Sequence, residues 1–383
     1  MTVDRDWMRR NLGFDPYKTQ PPPETFAYPA AAKPSATPED LQREIIDFDS
    51  EPPARSVGFL SSSTATGLSL FEDIPWPKVM KPKTASTPGK GRGGALPNSD
   101  VLVVTWTVDE GHATSRVLTP GKDSRDDYVP YRHNFSRLKP LFRAGCPAIE
   151  ANKLGSYWKS TINGHSVIVF KSESHLSQDG PKTPNVQVWQ QLIDEVNPKL
   201  VLTTGTGGGI GRDTMVGDVI VSPVVHFDAI KQFKTMFGGQ PPYASAAPDR
   251  EYFATAKRLF KANAHHLPPD NKRMPTIYIA PVRGIAQSVV TTDFFGFDTS
   301  ANTYHLQNLG HLSEMGDAVL GFVAKKMKSP PDWLAVRNVS DPQIKSEGTL
   351  KEQAKAAASI YKTYGRWSTV CSAITCAAII AAL

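Results

Sequence analysis

A run of apolar, β-branched residues that passes directly into glycines, Leu200-Val-Leu-Thr-Thr-Gly-Thr-Gly-Gly-Gly-Ile-Gly211, constrains this chain more than any other feature. The apolar half reads as a buried strand. Glycines at its end let the backbone approach a ligand closely, with N–H groups turned toward it. A dinucleotide-binding loop needs a helix of useful length after the last glycine, but Arg212-Asp-Thr-Met-Val-Gly-Asp218 leads straight into another strand. A Walker A loop needs Gly-Lys followed by Ser or Thr, which this segment lacks. A glycine-rich turn with no ligand stays open from this segment alone.

From residue 101 onward, short β-rich runs alternate with helical patterns, the mark of an α/β domain with a mainly parallel or mixed sheet covered by helices. Strands are expected over 101–106, 166–170, 200–204, 218–223, 276–280, 282–290 and 333–339. Helices are expected over 186–196, 249–263, 314–327 and 350–383, the last bent around Tyr364-Gly365. Residues 1–99 differ in composition, holding 14 of the 32 prolines, the run Pro21-Pro22-Pro23 and Gly89-Lys-Gly-Arg-Gly-Gly94. Such a stretch costs much chain entropy and buries little. It reads as a partly disordered adaptor or regulatory arm, able to dock on another protein or on the catalytic domain through residues such as Phe71 and Trp76. It ends in a flexible linker near 88–98, and the catalytic domain spans 100–383.

Charge is uneven: residues 1–100 hold 12 Lys+Arg against 13 Asp+Glu, which leaves 31 against 24 for residues 101–383. This mild basic excess suits a small anionic ligand or a merely solvated surface, and is too diffuse for nucleic acid. Three cysteines, Cys146, Cys371 and Cys376, give no disulfide framework and no zinc spacing. Neither metal nor cofactor is expected, and a reducing cytoplasm fits. The charged N-terminus does not read as a signal peptide. The apolar stretch 369–383 is too short for a bilayer and reads as a packed terminal helix.

The order strand, Thr-Gly-Thr-Gly-Gly, short connection, Val216-Gly-Asp-Val-Ile-Val-Ser222 resembles the nucleoside phosphorylase and nucleosidase superfamily. Three further segments resemble it in the same order. Val101-Leu-Val-Val-Thr-Trp-Thr-Val-Asp-Glu110 is similar to its first strand, which ends in an acidic cluster in the methylthioadenosine/adenosylhomocysteine nucleosidase branch. Ser313-Glu-Met-Gly-Asp-Ala318 is similar to its ribose-gripping Glu-Met-Glu, and Arg337-Asn-Val-Ser-Asp341 to its strand ending in Ser-Asp. Any one match is weak, and four in order are more specific. The resemblance covers about residues 100–383 and implies a single three-layer phosphorylase-like domain, a central mixed sheet flanked by helices. It also implies cleavage of an N-glycosidic bond and a homo-oligomer.

Such cleavage needs an activated nucleophile, support for a cationic ribosyl group and a proton for the departing base. The resemblance assigns Asp341, beside Ser340, to protonating the purine, which requires its pKa to be raised by burial; taken alone, Asp341 reads equally as a turn residue before Pro342. Glu110 would activate water, although Asp109-Glu110 in isolation is a common helix-start pair. Thr206, with Gly205 and Gly207, would line the pocket beside the ribose C1'. Glu314 and Met315 would hold and pack the sugar, Met315 alone reading as core. Gly316 stands where the family has a second glutamate, so Asp317 either takes the diol or the grip is altered. Phe294 and Phe295 would stack on the base or pack in the core.

Phosphorolytic relatives place an arginine before the glycine turn, where this chain has Thr203-Thr204. Without that guanidinium, bidentate phosphate binding loses its main donor. The reading is therefore a purine N-ribosyl hydrolase, with phosphorolysis and a catalytically inactive nucleotide sensor as alternatives. A basic insertion containing Arg116, Arg132 and Arg137, together with Arg212, would contact phosphates if the substrate is a nucleotide such as ATP. Family analogy with nucleotide-depleting defence effectors points the same way, and a solvated basic lid is the alternative.

Overall fold

The computed structural model describes residues 74–86, 94–122, 127–293, 296–298, 305–344 and 350–383. Thirteen strands form one mixed sheet: β1 (Lys83–Thr84), β2 (Val101–Thr105), β3 (Val129–Tyr131), β4 (Gly155–Ile162), β5 (His165–Ser172), β6 (Leu200–Gly209), β7 (Val219–Ser222), β8 (Val224–Asp228), β9 (Tyr243–Ala244), β10 (Ile277–Ile279), β11 (Val289–Thr292), β12 (Leu312–Glu314) and β13 (Asp332–Pro342). The spine runs β1-β4-β5-β2-β6-β12-β11-β8-β9, with β13 between β6 and β7, β10 on β7 and β3 on β4. Strands β5, β2, β6 and β13 are parallel, whereas β4 and β12 run antiparallel to their neighbours β5 and β6.

Alternation along the central strands creates two cores. Leu102 and Val104 join a cluster with helices α2 (Pro184–Val196) and α4 (Asp317–Ala324). Val101 and Val103 face the opposite layer, built from α1 (Val108–Leu118), α3 (Phe253–Leu259) and α5 (Leu350–Ala381). A sheet between two helical layers is the three-layer α/β architecture expected. Buried polar contacts seat α5 on the sheet: Thr204 Oγ1 donates to Ser372 Oγ at 3.0 Å and Asn338 Nδ2 to Ser368 Oγ at 2.8 Å. Among the described residues, no helix is long and apolar enough to cross a membrane.

Several boundaries differ from the sequence reading. The glycines do not form a turn, since β6 continues to Gly209, its end pairing with both β13 and β12. Neighbouring backbones close around it, and a Cβ on Gly207 would fall 2.3 Å from Leu312 Cδ2 and 2.9 Å from the Ser313 carbonyl oxygen. The strand expected over 282–290 is reduced to β11, β4 was missed, and the helix expected from residue 314 begins at Asp317, because Glu314 ends β12. The helix expected over 249–263 is short α3 followed by a 3-10 turn, Phe260–His266, and α5 is one helix through Tyr364 and Gly365.

Residues 1–73 lie outside the described part. Just beyond them, Ile74 and Met80 are buried in the α1/α5 core, and β1 pairs with the outer edge of β4. Leu96, placed in the linker by the sequence reading, is also buried, and its N–H donates to Glu195 Oε2 at 2.6 Å. The packed unit therefore includes chain N-terminal to residue 100.

Gly207→Ala is expected to destabilise the protein by about 1–3 kcal/mol through overpacking. Denaturant unfolding checks it: an unchanged midpoint would mean that the β6–β12 contact has room to spare.

Candidate active site

The C-terminal ends of β2, β6 and β13 lie side by side, the edge where open parallel sheets hold ligands. Strand β2 turns into α1 through a capping box. Thr107 Oγ1 accepts from the Glu110 N–H at 3.3 Å, and Glu110 Oε2 accepts from the Thr107 N–H at 2.9 Å. The local Thr-x-x-Glu pattern thus helps fix the Glu110 carboxylate through contacts within its own turn. Oε2 also accepts from the Trp106 N–H at 2.9 Å and Thr105 Oγ1 at 3.1 Å, while Oε1 accepts from Thr206 N at 2.8 Å and Thr206 Oγ1 at 2.6 Å. Gly205 has φ +132, and a Cβ there would lie 2.4 Å from Glu110 Cδ. Glycine is required because the carboxylate occupies the space where a side chain would stand.

Arg337, on β13 and 3% exposed, organises the rest. Its Nε donates to Asp317 Oδ2 at 2.8 Å and its Nη2 to Asp317 Oδ1, a bidentate pair. Nη2 also reaches Glu314 Oε2 at 3.5 Å, Nη1 reaches the Thr206 carbonyl oxygen at 3.4 Å, and the guanidinium lies 4.5 Å from the Trp106 ring centroid. Trp106 is fixed in turn by an indole N–H bond to the Ser174 carbonyl at 3.1 Å and by edge contacts with His175 and Trp189.

The charges in this cluster follow from its geometry. Burial by itself pushes the Glu110 carboxyl up, but the Arg337 charge and the hydrogen bonds from Thr206 and Thr107 outweigh it and hold Glu110 below the usual carboxylate value. Glu314 is raised, first by burial and then by the Asp317 charge, with Arg337 opposing. Burial holds His175 neutral, down to about 3.

Strand β13 bulges between Val339 and Asp341 just where it passes the glycines. Asp341 is half-buried, and Ser340 Oγ donates to its Oδ1 at 2.6 Å. Burial pushes the Asp341 carboxyl up to about 7, with the Ser340 hydrogen bond pulling the other way. The side chain therefore exchanges its proton near neutrality.

The structure brings Glu110, Thr206, Gly205, Gly207, Glu314, Asp317, Ser340 and Asp341 to one region. The Glu314 and Asp317 carboxyl groups are both engaged within the protein. The Glu314 carboxylate accepts from the N–H groups of Gly316 at 2.6 Å and Asp317 at 2.9 Å, and from Thr291 Oγ1, while Asp317 is taken up by Arg337. Gly316 leaves space, since a Cβ there would meet Glu314 Oε2 and Trp106 Cζ2 at 3.8 Å. Met315 is buried in the α2/α4 core, and Phe294 and Phe295 lie outside the described residues. Arg116 is buried on α1, and Arg137 is exposed. Arg132 donates to the Asn152 carbonyl, and Arg212 donates to Gln307 Oε1. Arg132 follows β3, four strand spacings or about 19 Å across the sheet from β6.

Sequence reasoning missed Arg337 and Trp106 as site residues although both lie in the quoted motifs. The signal was present for Arg337: an arginine inside an otherwise apolar strand must find buried anionic partners. Among the described residues, no group of His, Cys, Asp and Glu is arranged to hold a metal ion.

The family model described as phosphorylase superfamily matches residues 130–379. A 5'-methylthioadenosine/S-adenosylhomocysteine nucleosidase of Tolumonas auensis is 26% identical over 235 residues, 59% of this chain and 87% of that protein. Among solved structures, a nucleosidase of the same description from Helicobacter pylori, with butyl-thio-DADMe-Immucillin-A, aligns with TM-score 0.46 at 15% identity, over 75% of this chain and 99% of that one. Futalosine hydrolase of Helicobacter pylori aligns with TM-score 0.43 at 14% identity, over 73% and 96%.

Replacing Arg337 by Gln leaves buried carboxylates without their counter-charge and is expected to cost about 3–5 kcal/mol at neutral pH. The lowered Glu110 pKa contributes stability above the unfolded carboxylate value, lost as pH falls through the folded one. Without the guanidinium, burial acts on Glu110 and Glu314 with less opposition and raises both, so the variant recovers stability as they take up protons. The gap between wild type and variant should therefore be wider at pH 8 than at pH 5. Melting curves at both values check it, and a gap independent of pH would contradict the assigned charges.

Proposed function

Because the chain belongs to the phosphorylase superfamily, we propose that it hydrolyses the N-glycosidic bond of a purine nucleoside. The observation that carries the reading is the ionised Glu110 carboxylate held against Thr206, on the same sheet edge as the raised Asp341. A water beside the ribose C1' passes a proton to Thr206 Oγ1 as the Thr206 proton moves 2.6 Å to Glu110 Oε1. The water oxygen bonds to C1' while the C1'–N9 electron pair leaves with the base, and Asp341 gives its proton to the purine N7. Negative charge on Glu110 favours the ribosyl cation. Glu110 ends protonated and Asp341 ionised, and exchange with solvent resets both.

Water is the better-supported nucleophile. Free phosphate entering here meets carboxylates, and Arg337 is already committed to Asp317, Glu314 and the Thr206 carbonyl. Thr203, at the position where phosphorolytic relatives carry arginine, is fully buried. Arg132, four strand spacings from β6 and bonded to the Asn152 carbonyl, lies away from the glycine strand, which favours a nucleoside over a nucleotide. The relative from Tolumonas auensis bears the name of a nucleosidase, which supports the same reaction class.

The test is base release from inosine, adenosine, methylthioadenosine, AMP and ATP, with and without phosphate. Free base and ribose in phosphate-free buffer are expected, and strict phosphate dependence yielding ribose 1-phosphate would overturn hydrolysis. Asp341→Asn and Glu110→Gln should each lose about 10²–10⁴-fold in kcat. Thr206→Val should lose activity that Thr206→Ser retains; equal rates for the two would remove the hydroxyl relay.

A further inference from the structure

Two residues beyond Asp341 stands a side chain that the mechanism does not use. Gln343 is 4% exposed, and its backbone is pinned on both sides, its N–H donating to the Gly209 carbonyl at 2.9 Å and its carbonyl accepting from the Asp298 N–H at 2.8 Å. The Ser313 hydroxyl donates to Gln343 Oε1. Among the described residues, nothing accepts from the amide nitrogen, which is not sealed in the core. A largely buried amide with its oxygen fixed and its nitrogen left open is placed to donate to a ligand.

Gly208 relates this amide to the proposed acid. Asp341 is the ladder partner of Gly208, and a Cβ on Gly208 would fall 2.1 Å from Gln343 Cδ. The missing side chain at Gly208 is what lets the Gln343 amide lie over the strand beside Asp341. Purine N7 and the exocyclic group at C6 are neighbours on one edge of the base, and carboxamides read that edge by hydrogen bonds. We propose that Gln343 is a specificity-determining residue that reads the C6 substituent of a purine whose N7 takes the Asp341 proton. The inference rests on the nucleosidase reading for the presence of the base.

The Ser313 hydroxyl sets which end of the amide is offered. Donating to Oε1, it leaves the NH2 group for a 6-oxo purine; turned to accept from the amide nitrogen, it leaves the oxygen for a 6-amino purine. One pocket thereby accepts both classes through a rotation that leaves the backbone in place.

The experiment compares inosine, adenosine and purine riboside, which carries only hydrogen at C6, for the wild type, Gln343→Met and Ser313→Ala. Gln343→Met should lose about 10–100-fold in kcat/KM on inosine and adenosine and stay within about twofold on purine riboside. Ser313→Ala should change the inosine to adenosine ratio. Equal losses on all three substrates, or none, would overturn the proposal. Calorimetric binding of hypoxanthine, adenine and unsubstituted purine reads the same contact without turnover, and melting curves confirm folding. Base binding that depends on Gln343 without base release would sink the nucleosidase reading alone. Wild-type binding of hypoxanthine and adenine by Gln343→Met would sink this proposal alone, and a wild type that binds no base would overturn both.

Discussion

A single buried guanidinium holds the chemistry of this molecule together. Arg337 leaves water at the C-terminal edge of the sheet, and the cost of that desolvation is offset by a bidentate bond to Asp317, a contact with Glu314 and the face of Trp106. Its charge helps keep Glu110 ionised at a depth where a lone carboxylate would take up a proton. Take the guanidinium away and the carboxylates lose their reason to stay charged. On the proposed mechanism the reaction would then lack its proton acceptor.

The glycine strand serves this arrangement by subtraction. Gly205 makes room for Glu110, Gly207 for Leu312 and the β12 backbone, and Gly208 for Gln343. The glycines were conspicuous in the sequence, yet their purpose was not a phosphate-cradling turn. They let a paired strand run through a crowded point, so that side chains from α1, β12 and the segment after β13 can occupy positions along it. This also accounts for Thr206 being the residue that meets Glu110, the first side chain beyond the glycine that the carboxylate displaces.

What could be read from the sequence was the part governed by local rules. Continuous β-rich apolar runs marked β2, β5 and β6, the Asp109-Glu110 pair marked a helix start, and the order of motifs put Asp341 at a strand end. What could not be read was governed by partners distant in the chain. Nothing near Glu314 says that its carboxylate caps α4, and nothing near Asp317 says that Arg337, twenty residues later, will take both its oxygens. Strand β4 escaped notice because it mixes Lys159, Ser160 and Thr161 with its apolar residues and draws its place from pairing with β5. A proline-rich composition before residue 100 also conceals the burial of Ile74, Met80 and Leu96.

The central claim is that catalysis uses an ionised Glu110 together with a protonated Asp341, two carboxyl groups driven apart by their surroundings. The pH profile of kcat/KM on a nucleoside substrate reports both groups directly. The protonated form of Asp341 is the active one, so the rate should fall as pH rises through about 7. On the acid side it should stay level until pH drops below the usual carboxylate range, because Glu110 holds its charge there. A rate that climbs through pH 7 to a plateau at pH 9 would contradict the account.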